Sequence, residues 1–348
     1  MHRLLWHEEQ ESLPQPALAE LQLLKLRRQL RYERENSPYL KNRMDEAGFD
    51  PDRIESLGDI ARIPVFTEED HRRVQNHSVR HLGHPYGDHI CASLSKVVQI
   101  NAAPGTTGLP ILYTFTRRDL EVTGEVIGRG LWRMGVRPGD GVIHGSALSM
   151  FAGGLPFIHA VQQLGAHTIP VGAEAGAAKF LQFAQLTRPK HMICAPSFAE
   201  CLAEEAPKVI GCGVRGLGLR TLMFVGESKP GDPEGRSRLE DEWGAKVFDL
   251  LGGAWGFLCA SCTASEGMHF VSPDYSLLEL VDPDSKQAIS IVDGAVGEMT
   301  CTSLEWEAGP ALRYALGDIV QVFTSPCSCG MPGLRLKVLG RFDERSQS

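Results

Sequence analysis

The feature that most constrains this chain is a series of short apolar runs, each closed by glycine or proline and separated by stretches of helical periodicity. GVIHGS, AHTIPVG, KHMICAP, LRTLMFVG and AKVFDLLG follow one another between residues 141 and 252. Such runs read as strands buried on both faces, and the helical stretches supply the crossovers that parallel strands need. The expectation is an α/β body, a parallel sheet covered by helices. From about Leu277 the pattern changes to LLELVD, AISIVD, GEMTCTSL and VQVFTS, with no helix between them. A smaller β-rich section is therefore expected over residues 277–340, after an α/β core over 1–276. Upstream, leucines at helical spacing predict an amphipathic helix from Leu18 to Tyr32. Thr67 is placed to cap a helix opened by Glu68, Glu69 and Asp70. VVQINA and ILYTF predict strands on either side of a glycine-rich loop, and Arg117 to Met134 predicts a helix stopped by Gly135.

Charge and cysteine usage narrow the class. A formal net charge of -8 over 348 residues argues against sequence-independent nucleic-acid binding, which needs a cationic face. No apolar run reaches the length of about 20 residues that spans a bilayer. The opening MHRLLWHEEQESLPQ has acids where a secretory signal needs apolar residues. A soluble, cytoplasmic protein with no membrane partner is expected. Nine cysteines, an odd number scattered over a large chain, form no disulfide framework. Cys91, Cys194, Cys201, Cys212 and Cys301 are expected to be small buried hydrophobes. Trp132 and Met134 are expected in the core, and His159 and His167 as packing or surface residues.

The loop Asn101-Ala-Ala-Pro-Gly-Thr-Thr-Gly-Leu-Pro110 carries the first chemical signal. Glycines let a backbone fold around phosphate oxygens, and Thr106 and Thr107 add hydroxyl donors. The Gly-Lys-Ser/Thr ending of a Walker loop is absent. Alone, the segment is equally an ordinary hairpin turn.

Its context is more specific. LQLLKLRRQLRYERENSPYLKNRMDEAGFDP, PGTTGLPILYTFTRRDL, FAGGLPFIHAVQQLGAHTIPVG, FVGESKPGDPEGRSRLEDEWGAKVFDLLG, LRYALGDIV and GRFDE occur in that order. Together they resemble the phenylacetate–CoA ligase family of adenylate-forming enzymes. The resemblance implies the family's large core, ending at a hinge remnant, 341–348, where a small mobile domain is expected to begin. It also implies an ATP-dependent ligase that forms an acyl-AMP from an aryl or small organic acid and passes the acyl group to coenzyme A or an amine. Thr106 and Thr107 would meet the ATP phosphates, with Gly226, Glu227, Asp249 and Gly252 along the adenine. Asp318 would hold the ribose hydroxyls, a role suited to a carboxylate accepting two hydrogen bonds. Arg341 and Asp343 would mark the nucleotide edge and the pivot, and Phe151, Gly153 and Gly253 would wall the acyl pocket. Arg313 reads equally as a structural ion-pair partner. A homodimer is also compatible with the resemblance.

Departures from the family pattern are concentrated at the nucleotide. Ala103 and Pro104 stand where serines are usual, and Leu109 where lysine is frequent. Leu251 replaces the aromatic flanking the adenine. Trp255 replaces the acid that helps to hold Mg²⁺, for which Glu266 is the nearest candidate substitute in sequence. Two alternatives to the ligase follow: a catalytically degenerate core serving as a binding or scaffold module, or a core that works with a small domain on another chain.

A second signal lies in the cysteines. Cys262 and His269 are followed by Cys327-Ser-Cys329 in a Pro-Cys-x-Cys-Gly turn. Three thiolates and an imidazole suit tetrahedral zinc, and four protein ligands make such a site structural. Cys259-x-x-Cys262 is a legitimate pair as well. Resemblance to family members with Cys…Gly-Met/Leu-His and Cys-x-Cys-Gly selects Cys262, His269, Cys327 and Cys329 for Zn²⁺. The alternative is a set of buried thiols beside an unrelated histidine.

Overall fold

The computed structural model describes residues 4–103, 110–227, 233–264 and 266–342. A single turn α1 (Glu8–Glu11) precedes the long helix α2 (Gln15–Asn36), which contains the whole of the predicted Leu18–Tyr32 stretch. Helices α3 (Pro38–Glu46) and α4 (Glu68–His81) follow. Thr67 caps α4 as expected, in a capping box: its hydroxyl accepts from Asp70 N at 3.2 Å, and its own N–H donates to the Asp70 carboxylate at 3.0 Å. β1 (Val97–Ala103) and β2 (Ile111–Thr116) form an antiparallel hairpin. Thr116 and Asp119 then cap α5 (Arg117–Arg133), which stops before Gly135 at φ 100°.

The apolar runs become β3 (Gly141–His144), β4 (His167–Pro170), β5 (His191–Cys194), β6 (Thr221–Phe224) and β7 (Lys246–Gly252). They pair in parallel in the order β4-β3-β5-β6-β7. Helices α6 (Leu155–Gln163), α7 (Ala177–Thr187), α8 (Pro196–Ile210) and α9 (Pro233–Trp243) lie between them in sequence. Alternate residues of each strand feed two separate cores. Val142, Ile193, Met223 and Phe248 join the cluster beneath α5 and α6, whereas Ile143, Met192, Leu222 and Val247 join the cluster beneath α7 and α8. That alternation is why the inner strands β3, β5, β6 and β7 are largely apolar, buried on both faces, while the edge strand β4 is partly exposed.

Beyond β7 the same sheet continues with antiparallel strands β8 (Leu258–Ser261), β9 (Met268–Phe270), β10 (Ser276–Val281), β11 (Ala288–Ile289), β12 (Val296–Ser303), β13 (Tyr314–Phe323) and β14 (Arg335–Arg341). The order is β7-β8-β9-β14-β13-β12-β10-β11, giving twelve strands among the described residues. Helix α5 sits against β8 so closely that a Cβ at Gly130 would lie 2.8 Å from Leu258 Cδ2. The fold is mixed α/β, a large sheet covered by helices. No helix among the described residues is long and apolar enough to cross a membrane.

Of the isolated cysteines, Cys91, Cys194 and Cys301 are buried as expected, but Cys201 and Cys212 are exposed. Cys201 lies on the outer side of α8, whose Leu202, Ala203 and Ala206 face the sheet, and Cys212 follows the left-handed Gly211 that ends this helix. Met134 is in the core, whereas Trp132 is half-buried beneath the Arg137 guanidinium, 3.9 Å from its ring.

The N-terminal helices bury Leu26, Leu30, Leu40 and Met44 against Leu304 and Leu312. Glu33 is caught in this junction. Its Oε1 accepts from Gln29 Nε2 at 3.0 Å, Oε2 has no partner, and burial pushes the carboxyl up to about 8. The folded protein thus keeps a proton that the unfolded chain releases above the usual carboxyl range. Stability from this group is complete at low pH and is lost as pH rises toward 8. We expect wild type to lose on the order of 2–4 kcal/mol relative to Glu33→Gln between about pH 5 and pH 8. Urea denaturation of both proteins across that range is the check, and parallel pH profiles would refute it.

Candidate functional site

Ligands of open α/β sheets collect at the carboxyl ends of the parallel strands. Three loops meet there: 145–154 after β3, Val225–Glu227 after β6, and Gly252–Ala254 after β7. The first is held in place by polar side chains. His144 Nε2 lies 3.1 Å from Gly153 O, and the Glu174 carboxylate accepts from the N–H groups of Leu148 and Ser149 at 2.7 and 3.0 Å. Burial holds the His144 imidazole down at about 4, so at neutral pH it is an uncharged strut. From the other side, Asn101 Nδ2 donates to Met150 O and Phe151 O at 3.3 and 3.2 Å, and Ala102 N donates to Met150 O at 2.6 Å. The β1–β2 hairpin, which carries the glycine-rich loop, is thereby tied to the segment bearing Phe151.

The expected pocket and adenine residues distribute around this junction. The Phe151 ring covers Gly153 and Gly226: a Cβ on Gly226 would stand 3.2 Å from Phe151 Cζ, and one on Gly153 2.6 Å from its Cε1. Gly226 has φ 85°. Gly253, with φ 116°, lies over Phe157 and Ile127. Gly252 is pressed against the backbone oxygen of Phe257, 2.5 Å from where its Cβ would be. Glu227 is turned toward α8, accepting from Ser197 N at 3.2 Å and from the Ser197 hydroxyl. Asp249, midway along β7, is half-buried, and burial raises its carboxyl despite the nearby Arg236. Leu251 is half-buried against the core. Thr106, Thr107, Pro104, Leu109 and Asp343 lie outside the described residues.

Asp318 and Arg341 come together on neighbouring strands. They are register partners of β13 and β14, with Arg341 Nη1 3.3 Å from Asp318 Oδ1. Asp318 is buried, and Gly317 at φ 77° leaves room for the guanidinium, since a Cβ there would meet Arg341 Nη2 at 2.7 Å. Arg313 does not join them. It is buried, ion-paired with Glu279 at 3.1 Å, and donates to Ala61 O and Ile63 O at 3.0 and 2.6 Å. Its structural role is that of a clamp on the segment before α4.

The cysteine cluster assembles about one point. Ligand atoms of Cys262, His269, Cys327 and Cys329 all lie within 4.8 Å of one another. Cys262 Sγ is 3.7 Å from Cys327 Sγ, and Cys329 Sγ is 3.3 Å from His269 Nε2. His269 Nδ1 lies 3.2 Å from Pro332 O, which assigns the proton to Nδ1 and leaves the Nε2 lone pair toward the thiols. Burial holds His269 near 4, and burial with the neighbouring thiols pushes Cys329 up to about 12. Crowded thiols resist ionising together unless a cation compensates them, so the donor set fits a thiolate-binding metal. Cys259 is excluded: its side chain belongs to the core beneath α5. Glu266 is committed here too, accepting from Ser328 Oγ at 2.7 Å and pairing with Arg335 at 3.0 Å.

Asn101, His144 and Glu174 were not marked as site residues by the sequence. Only their sequence-distant contacts assign them a role: Asn101 opens the glycine-rich segment without being one of its expected phosphate ligands, and His144 and Glu174 sit in no motif.

No family model matches the chain. Curated relatives do. A phenylacetate–coenzyme A ligase of Thermus thermophilus is 31% identical over 348 residues, covering 98% of this chain and 74% of that protein. The Pseudomonas putida enzyme of the same name is 27% identical, covering 98% and 76%. Among solved structures, a 2-hydroxyisobutyryl-CoA ligase in complex with 2-HIB-AMP and CoA superposes with a TM-score of 0.88 at 30% identity, over 98% of this chain and 71% of that one. An anthranilate CoA ligase with anthranoyl-AMP, at 19% identity and a TM-score of 0.52 over 73% of this chain and 49% of that one, shares the fold. Sequence and fold agree over nearly the whole length, and the chain belongs to the phenylacetate–CoA ligase family of adenylate-forming enzymes.

Proposed function

We propose that this chain activates a carboxylic acid with ATP and passes the acyl group to coenzyme A or an amine. In the first step a carboxylate oxygen attacks the α-phosphorus and pyrophosphate leaves. In the second the thiol or amine attacks the acyl carbon and AMP leaves. The observation that carries the reading is the buried Asp318 beside Arg341, at the expected ribose position, in a family whose solved member binds an acyl-AMP. In this reading Gly226, Glu227, Asp249 and Gly252 line the adenine, and Thr106 and Thr107 contact the phosphates. Phe151, Gly153 and Gly253 bound an acyl pocket for an aryl or small organic acid. Residues 1–276 and 277–340 act as two sections of one large domain, with 341–348 as the hinge. A cytoplasmic protein without nucleic-acid or membrane partners, able to form a homodimer, completes the picture.

Zinc would be held by Cys262, His269, Cys327 and Cys329, leaving no position for substrate. Its part is structural: it fastens the β8–β9 turn to the segment entering β14.

Removing a charged acceptor of hydrogen bonds costs about 1.5–3 kcal/mol, or roughly 10- to 150-fold in affinity. Asp318→Ala is expected to weaken ATP and AMP binding by that factor while the urea midpoint stays close to wild type. Calorimetric titration measures it, and unchanged affinity would remove Asp318 from the site. Pyrophosphate exchange with a set of aryl and short-chain acids tests the reaction itself. A second reading, a core retained for binding or scaffolding, is favoured by Trp255 at the position of an expected acid. Absence of exchange together with absence of ATP binding would leave that reading alone.

A further inference from the structure

The magnesium ion that the family implies finds no ligand at the expected position. Trp255 stands there, buried, with φ 56°. Its indole N–H donates to Gly309 O at 3.0 Å, and its ring lies 5.0 Å from Tyr113, edge-on, and 4.5 Å from Tyr314. An indole is a donor only and offers no lone pair to a hard cation. The backbone cannot simply turn the side chain away, because the aromatic contacts and the Gly309 bond hold it from both ends. Glu266 does not substitute, since it is engaged by Ser328 and Arg335 at the cysteine cluster.

The charges that face this aromatic wall are different ones. Burial raises the hydroxyls of both Tyr113 and Tyr314. Glu68 adds to that rise, while Arg72 and Arg341 oppose it for both tyrosines. Among the described residues Glu68 is the carboxylate acting on both, and it is already paired with Arg72 at 2.7 Å. Arg341 is anchored on Asp318 at 3.3 Å. Two guanidinium groups thus act on the aromatic wall, that of Arg72 paired with Glu68 and that of Arg341 paired with Asp318. They are permanently charged and suited to phosphate oxygens.

We infer that the nucleotide site of this chain binds its ligand without a divalent cation held at position 255, where the indole offers no ligand, and that Arg341, paired with Asp318, supplies positive charge at the site. The inference rests on the nucleotide-site reading above. Its test is calorimetric titration of the full chain with a non-hydrolysable ATP analogue, in magnesium and in EDTA. The expected result is an affinity that changes by less than about threefold between the two, and a loss of roughly tenfold in both for Arg341→Ala. A wild-type affinity that falls tenfold or more in EDTA would overturn the inference and leave the nucleotide reading standing. So would an Arg341→Ala protein that binds as wild type does. Absence of binding in both conditions would sink the nucleotide reading itself, and this inference with it. Trp255→Glu, with folding confirmed by circular dichroism, is expected to acquire a magnesium preference of at least about tenfold. If that folded variant stays indifferent to magnesium, Trp255 is not what excludes the cation. Trp255→Phe keeps the aromatic packing and is expected to remain indifferent; a magnesium preference in it would count equally against the assignment.

Discussion

Cys329→Ser protein, purified beside wild type, is expected to carry less than about a tenth of an equivalent of zinc where wild type carries about one. The serine hydroxyl keeps the size of the thiol but is a poor zinc ligand, and the remaining Cys262, Cys327 and His269 leave one corner of the tetrahedron open. Binding free energy at a structural site is folding free energy, so the loss extends beyond the metal. Without the ion, two thiols, the new hydroxyl and an imidazole must be buried with little to compensate them, and the turn between β13 and β14 loses its tie to β9. We expect the variant to unfold with at least about 3 kcal/mol less stability. Cys259→Ala is the control, because that side chain lies in the core and not in the cluster. It should lose core packing and keep its zinc. Wild-type protein with no metal, or Cys259→Ala protein without it, would each refute the ligand set.

How the cluster became legible also shows where a sequence stops being readable. Cys-x-Cys beside glycine and a histidine after Gly-Met are local patterns, and resemblance to family members that carry them selected Cys262 over Cys259. The parallel strands were legible for a physical reason: burial on both faces forces unbroken apolar runs such as HMIC and TLMF. The antiparallel strands β8 and β9 were not separated from their surroundings. They are four and three residues long, too short for alternation to register. The pairing of β14 between β9 and β13 is a property of topology alone. The exposure of Cys201 depends on which side of α8 meets the sheet, and a residue type that is usually buried misleads there. Glu266, near the nucleotide residues in sequence, is drawn to Arg335 by a contact 69 residues away. Nothing in its neighbourhood announces that.

Arg313→Ala is expected to destabilise the protein by about 3–5 kcal/mol, the cost of stranding one member of a buried ion pair. Its motif, Arg-Tyr-Ala-Leu-Gly-Asp, invites a nucleotide role, but the side chain is spent within the protein. The guanidinium pairs with Glu279 and satisfies two carbonyls, Ala61 O and Ile63 O, while the backbone N–H donates to Thr302 Oγ1 at 3.0 Å. Removing it strands all three acceptors. Burial already raises the Glu279 carboxyl, with Arg313 opposing the rise. Without the arginine, the carboxyl rises further and the folded state holds a proton the unfolded chain gives up. The destabilisation should therefore grow as pH increases above the ordinary carboxyl range. Glu279→Gln added to Arg313→Met should recover part of the loss by replacing an unpaired charge with neutral groups of similar size. Urea unfolding near pH 5 and pH 8 separates the two roles. An Arg313→Ala protein as stable as wild type but unable to bind ATP would make Arg313 a ligand of the nucleotide. A protein that loses stability with the stated pH dependence places it where its contacts do, holding the N-terminal segment to β13 so that Asp318, five residues on, keeps its position.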